Sequence, residues 1–82
     1  VAVALRYQPE RDRAPRVVAK GLRLLAERIV ALARGAGVPV LQDEPLARSL
    51  YRLCPVGAEI PPDLYRAVAE VLAYVYQMGR AA

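Results

Sequence analysis

The sequence has no histidine, asparagine, threonine or tryptophan, and it has a single serine, Ser49, a single cysteine, Cys54, and a single lysine, Lys20. The usual pairs of nucleophile and base cannot be assembled from such a set, so enzymatic turnover at a conventional active site is not expected. A metal site would have to rest on carboxylates, and no metal or other cofactor is expected. One cysteine cannot close an intramolecular disulfide. Cys54 therefore reads as a small, semi-buried apolar residue in a reducing cytoplasm. Gly35-Ala36-Gly37 lacks the spacing of a phosphate-binding loop and its Lys-Ser or Lys-Thr pair. No apolar run reaches the roughly 18 to 20 residues that cross a bilayer, and no stretch reads as a signal peptide.

What the chain does hold is 82 residues, 56% hydrophobic and 24% charged. That balance suits one folded domain over residues 1–82 with a single core. The net charge of +4 comes from eleven arginines and one lysine set against eight acids. Basicity invites a nucleic-acid reading. Arg11, Arg13 and Arg16 form the densest basic tract, yet Glu10 and Asp12 alternate with them and no aromatic residue lies between to stack on bases. A generic basic nucleic-acid-binding domain thus ranks last among the readings, and no nucleic-acid partner is expected.

Residues 2–7, Ala-Val-Ala-Leu-Arg-Tyr, suit a buried strand followed by an exposed loop that contains Pro9 and Pro15. Arg16 to Ala19 read as a short second strand ending at Lys20-Gly21, with a helix from Val17 as the competing reading. From Leu22 to Arg34 the pattern turns helical, with Leu25, Ile29 and Leu32 on one face beside Ala26 and Ala33. Gly35 and Gly37 end it, and residues 38–41 form another short strand. A strand, helix, strand succession of this length predicts a right-handed crossover to a parallel strand.

Proline 45 after Asp43-Glu44 predicts a second helix, with Leu46, Leu50 and Leu53 at helical spacing. Residues 54–60 read as a loop that touches the sheet through Val56. The last helix begins at Pro61-Pro62-Asp63 and has two apolar registers, Leu64, Val68, Val71, Val75 and Tyr65, Ala69, Leu72, Tyr76. The pairs Asp43 with Glu44 and Glu59 with Asp63 lie at helix starts and are read as caps. The fold class is α/β, a small mixed β-sheet of about three strands flanked by about three helices.

Four blocks of sequence then carry a resemblance. Residues 2–7, Ala-Pro-Arg-Val-Val-Ala-Lys-Gly at 14–21, Pro-Leu-Ala-Arg-Ser-Leu-Tyr at 45–51 and the run from Ile60 to Tyr76 resemble, in order, the C-terminal cytoplasmic domain of the FlhB, YscU and SpaS export-switch family of type III secretion. The wording Val-Val-Ala-Lys-Gly and Val-Ala-Glu-Val-Leu-Ala is closest to the flagellar, FlhB-like members. The resemblance implies a component of a bacterial flagellar or type III protein export apparatus that binds export substrates, rod and hook subunits among them, and other export-gate proteins. It implies a part in switching substrate specificity, at the cytoplasmic face of the inner-membrane export gate. Membrane contact would come only through a parent or partner protein.

By position in those motifs, the resemblance implies an export-signal binding patch at Ala14, Pro15, Ala69 and Leu72. It points to Arg48 as a further residue presented to a gate partner, although Arg48 could equally pair with a nearby acid. Family members cleave themselves at an Asn-Pro-Thr-His turn just before the segment that matches Val1 to Tyr7, and that motif does not occur in this sequence. The sequence is thus expected to be a stand-alone relative, the alternative being the C-terminal fragment of a self-cleaving protein. In either case the resemblance implies binding and no catalytic residue here.

Overall fold

The computed structural model describes residues 1–81, with side chains through residue 73. Three strands and three helices follow one another as β1 (Ala2–Arg6), β2 (Arg16–Gly21), α1 (Arg23–Ala36), β3 (Val40–Gln42), α2 (Pro45–Leu53) and α3 (Tyr65–Ala81). A short 3-10 turn, Pro62–Leu64, leads into α3. The small α/β fold matches the expectation, and the run at 16–21 is a strand rather than the start of a helix.

The strand order is β2-β1-β3, and both ladders are antiparallel. Two strands antiparallel to a common neighbour are parallel to each other, so the crossover through α1 does join parallel strands. They are not hydrogen-bonded neighbours, because β1 lies between them. The sheet is consequently antiparallel throughout rather than mixed.

Strand β1 alternates strictly. Val3 and Leu5 point into a large cluster with Val17, Leu41, Ala47, Leu50, Cys54, Ile60, Val68 and Leu72, while Ala2 and Ala4 point to the other side, where Ile29 of α1 packs. Strand β2 does not keep that alternation. The register runs from Ala4 opposite Ala19 to Leu5 opposite Val17, leaving Val18 as the extra residue of a bulge. One inserted residue resets which side chains face which side. Val17 accordingly enters the large cluster while Val18 and Ala19 both pack on the α1 side.

Helix α1 ends as the glycine signal predicts, at Gly37 in the left-handed region with φ 69°, its N–H donating to the carbonyls of Ala33 and Arg34. Only part of the expected face is buried. Ile29 and Ala33 are buried, whereas Leu25 is 54% and Leu32 75% exposed. Because β1 offers only Ala2 and Ala4 on this side, the helix packs closely through Ile29 with the small Ala26 beside it. Gly21 is part of that close approach: a Cβ there would lie 2.6 Å from Leu25 Cγ.

In α2 the buried residues are Ala47 and Leu50, with Leu46 half-buried and Leu53 exposed. Glu44 is the N-cap residue and makes no side-chain capping bond, so its capping role is not realised. Asp63 does lie in the first turn of the 3-10 helix. In α3, Val68 and Leu72 are buried, Val71 half-buried, and Tyr65 and Ala69 exposed, while Leu64 in the preceding 3-10 turn is half-buried. Val75 and Tyr76, expected in the same registers, have side chains outside the described residues.

The candidate groove and its surroundings

The loop between β1 and β2 is shaped by its own polar groups. Gln8 accepts the N–H of Arg11 and of Asp12 through its carbonyl at 2.9 and 2.8 Å, and its N–H donates to Asp12 Oδ2 at 3.2 Å. Arg16 then reaches back: Nη2 donates to Asp12 Oδ1 at 3.0 Å and to Glu59 Oε2 at 3.3 Å, while Nη1 donates to the carbonyl of Gly57. Glu59, read in the sequence as a cap, thus serves as an ion-pair partner.

Asp12 is the one buried acid among the described residues. The Arg16 hydrogen bond holds its carboxyl below the ordinary value, burial opposes that, and the Gln8 N–H adds to it. A buried carboxylate with these partners fixes the loop as a unit, since displacing any one of them would strand the charge.

Residues 57–60 complete the anchorage. Val17 N–H donates to the Ala58 carbonyl at 3.0 Å, Gly57 N–H to the Val17 carbonyl at 2.7 Å and Ile60 N–H to the Pro15 carbonyl at 2.9 Å. The segment therefore joins the sheet edge through its backbone and through buried Ile60, whereas Val56, the residue expected to make the contact, is 56% exposed.

Held in this way, Ala14 and Pro15 face α3 across an open groove of about 400 Å³ whose lining also includes Ala69 and Leu72. All four residues singled out in the sequence lie on this one concavity. They are not equivalent, however. Ala14 and Leu72 are buried members of the large core cluster and form the floor, while Pro15 is half-buried and Ala69 is exposed. Tyr7 and Tyr65, both partly exposed, stand along it together with Ala73 and Arg13.

The tyrosines and Arg13 are not among the groove residues expected from the sequence. Their signal, a tyrosine after the first strand and one at the start of the last helix, becomes visible only when the loop is seen to fold against α3.

Arg48 lies elsewhere. It is exposed on α2 and borders a separate hollow with Leu22, Ser49, Tyr51 and Arg52, sharing no lining residue with the groove. The pairing with a nearby acid is not made: among the described residues Arg48 has no ion pair within 4.0 Å.

Two further polar residues have structural tasks. Lys20 Nζ donates to the carbonyls of Tyr51 and Cys54 at 2.8 and 3.0 Å, satisfying the end of α2, and sits 5.2 Å from the centre of the Tyr51 ring. Cys54 is buried, and burial pushes its thiol up despite the opposing charge of Lys20. Its sulfur lies 3.4 Å from the Glu59 carbonyl and 3.5 Å from that of Ala58, a protonated thiol donating rather than a poised nucleophile. Among the described residues no group of three His, Cys, Asp or Glu could hold a metal, and no helix is long and apolar enough to cross a membrane.

Comparison with known proteins decides the affiliation. Residues 1–75 match the model of the FlhB HrpN YscU SpaS family. The chain belongs to that family. It is 51% identical over 79 residues to the flagellar biosynthetic protein FlhB of Escherichia coli, a match that covers 96% of this chain and 21% of that protein. The chain thus spans about a fifth of the flagellar relatives it matches.

It is also 42% identical over 80 residues to the Bacillus subtilis protein YlqH, covering 98% of this chain and 85% of that protein. Among solved structures, the cytoplasmic domain of FlhB from Shewanella putrefaciens superimposes with a TM-score of 0.88 at 39% identity, over 96% of this chain and 61% of the other. The PscU C-terminal domain does so with a TM-score of 0.79 at 41% identity, over 89% and 92%. The chain therefore has the fold of the C-terminal cytoplasmic domains solved for members of this family.

Proposed function

We propose that this domain is a docking module of a bacterial flagellar or type III protein export apparatus, acting by binding rather than by turnover. In this reading the groove between Ala14-Pro15 and Ala69-Leu72 receives short apolar segments of export substrates such as rod and hook subunits. The domain then takes part in changing which substrates pass, at the cytoplasmic face of the inner-membrane export gate, in contact with other gate components.

The observation that carries the proposal is the convergence of those four residues on one apolar groove whose walls are anchored by the Asp12, Arg16 and Glu59 network. A shallow apolar site on a rigid frame accepts a side chain or two without reorganisation. It buries far less than the roughly 1,200 to 2,000 Å² of a stable interface, and weak, reversible docking suits a transport step.

The test uses labelled overlapping peptides from rod and hook subunits, titrated against the 82-residue chain and its Ala69→Asp variant. A carboxylate placed on the exposed wall must be desolvated by an apolar ligand, so affinity should fall by at least about tenfold. The melting temperature should stay close to that of the parent chain, because Ala69 is exposed. A large drop in melting temperature would instead make Ala69 part of the core and the groove ordinary packing.

A further inference from the structure

We infer that the groove selects for charge as well as for apolarity: its preferred ligand is a short peptide bearing a carboxylate next to the apolar anchor, and Arg13 is the residue that reads it. This rests on the groove reading proposed above and names the chemical class of ligand that the groove takes.

The groove has one charged residue in its lining, Arg13, and no acid. The surrounding acids do not compensate it. Asp12, its sequence neighbour, is occupied by Arg16 and by the Gln8 N–H, and Glu59 is occupied by Arg16 as well. Among the described residues Arg13 makes no hydrogen bond or ion pair, and it is exposed. The contrast with Arg16 is informative. Two arginines three residues apart in one loop have opposite fates, the first left open at the groove and the second tied into the frame that holds it.

An arginine beside an apolar surface is well suited to a carboxylate. Its planar fork donates two parallel hydrogen bonds, and the low-polarity wall beside it strengthens the attraction relative to open water. Tyr7 and Tyr65 extend the apolar wall on which the anchor residue would lie. A ligand with a lysine at the same place would meet Arg13 with like charge, so the same residue favours one class of peptide and rejects another.

Three peptides test this, identical in an apolar anchor of two residues and differing in one adjacent position, Asp, Asn or Lys. They are titrated by fluorescence anisotropy against the 82-residue chain and against Arg13→Glu, with melting curves recorded for both. The expected order for the parent chain is Asp tightest and Lys weakest, with steps of about threefold to fivefold that shrink in high salt. Arg13→Glu should invert the order without changing the melting temperature, since among the described residues Arg13 has no partner to lose.

Equal affinity for the three peptides, or an order that Arg13→Glu leaves as it was, would overturn the charge-reading role while leaving the apolar groove intact. Absence of binding by all three to the parent chain would overturn the groove reading itself, and the inference with it.

Discussion

The two faces of the sheet are built to different thickness. Below it, Val3, Leu5, Val17 and Leu41 meet Ala47 and Leu50 of α2, Cys54 and Ile60 of the following loop, and Val68 and Leu72 of α3. Above it, Ala2 and Ala4 meet little more than Ile29, with Val18, Ala19, Ala26, Val30, Val38 and Val40 half-buried around them. The thick face holds the structural cysteine, the lysine that satisfies α2, the buried Asp12 nearby and the floor of the groove. On the thin face one helix lies against small residues with Leu24 and Leu32 turned outward, each 75% exposed. A site that must keep its shape is thus an outgrowth of the larger core, where each wall residue is backed by others.

The largest test of this asymmetry removes equivalent volume from each side. Leu50→Ala should cost about 3 to 5 kcal/mol, because a fully buried leucine leaves a cavity that the surrounding elements cannot close. Ile29→Ala, under a single helix free to settle toward Ala2 and Ala4, should cost about 2 kcal/mol. Urea unfolding of the two variants measures the difference, and equal losses would break the comparison.

Acid sharpens it from the side of charge. The Asp12 carboxyl has a folded value held below its ordinary 3.8, so the stability it contributes is present above that value. It is lost as pH falls through the lower folded value. The urea midpoint should fall as pH is lowered from about 5 toward 2, and Asp12→Asn should flatten that slope at the expense of stability near neutrality. An unchanged slope would mean that the loop is not held by this carboxylate.

The smallest effect belongs to the thin face. Leu32→Lys replaces a side chain already in solvent and should change stability by less than about 0.5 kcal/mol. A clear loss would show that α1 packs through the leucine face that the periodicity first suggested.

That last contrast shows where sequence reasoning stopped. Periodicity located α1, since apolar residues recur at helical spacing whichever face is used, but two apolar stripes overlap in Leu22 to Arg34. Only the size of what lies opposite chooses between them. The four groove residues were named through a family resemblance carried by contiguous blocks. Arg13 and the two tyrosines were not, because nothing local distinguishes Arg13 from Arg11 or Arg16.

By itself the sequence determined the order and kind of the elements, the stop at Gly37, the absence of histidine and of the usual nucleophile and base pairs, and the membership of the family. These depend on residues close together in the chain, where backbone geometry and periodicity act directly. The tertiary structure alone decided the central place of β1, the bulge at Val18, the task of Lys20 at the end of α2, and the division of labour between Arg13 and Arg16. Each of these is a contact between distant segments, such as Arg16 with Glu59 or Lys20 with Cys54. Such contacts are selected by packing the whole chain around one core, a choice that no local stretch of sequence contains.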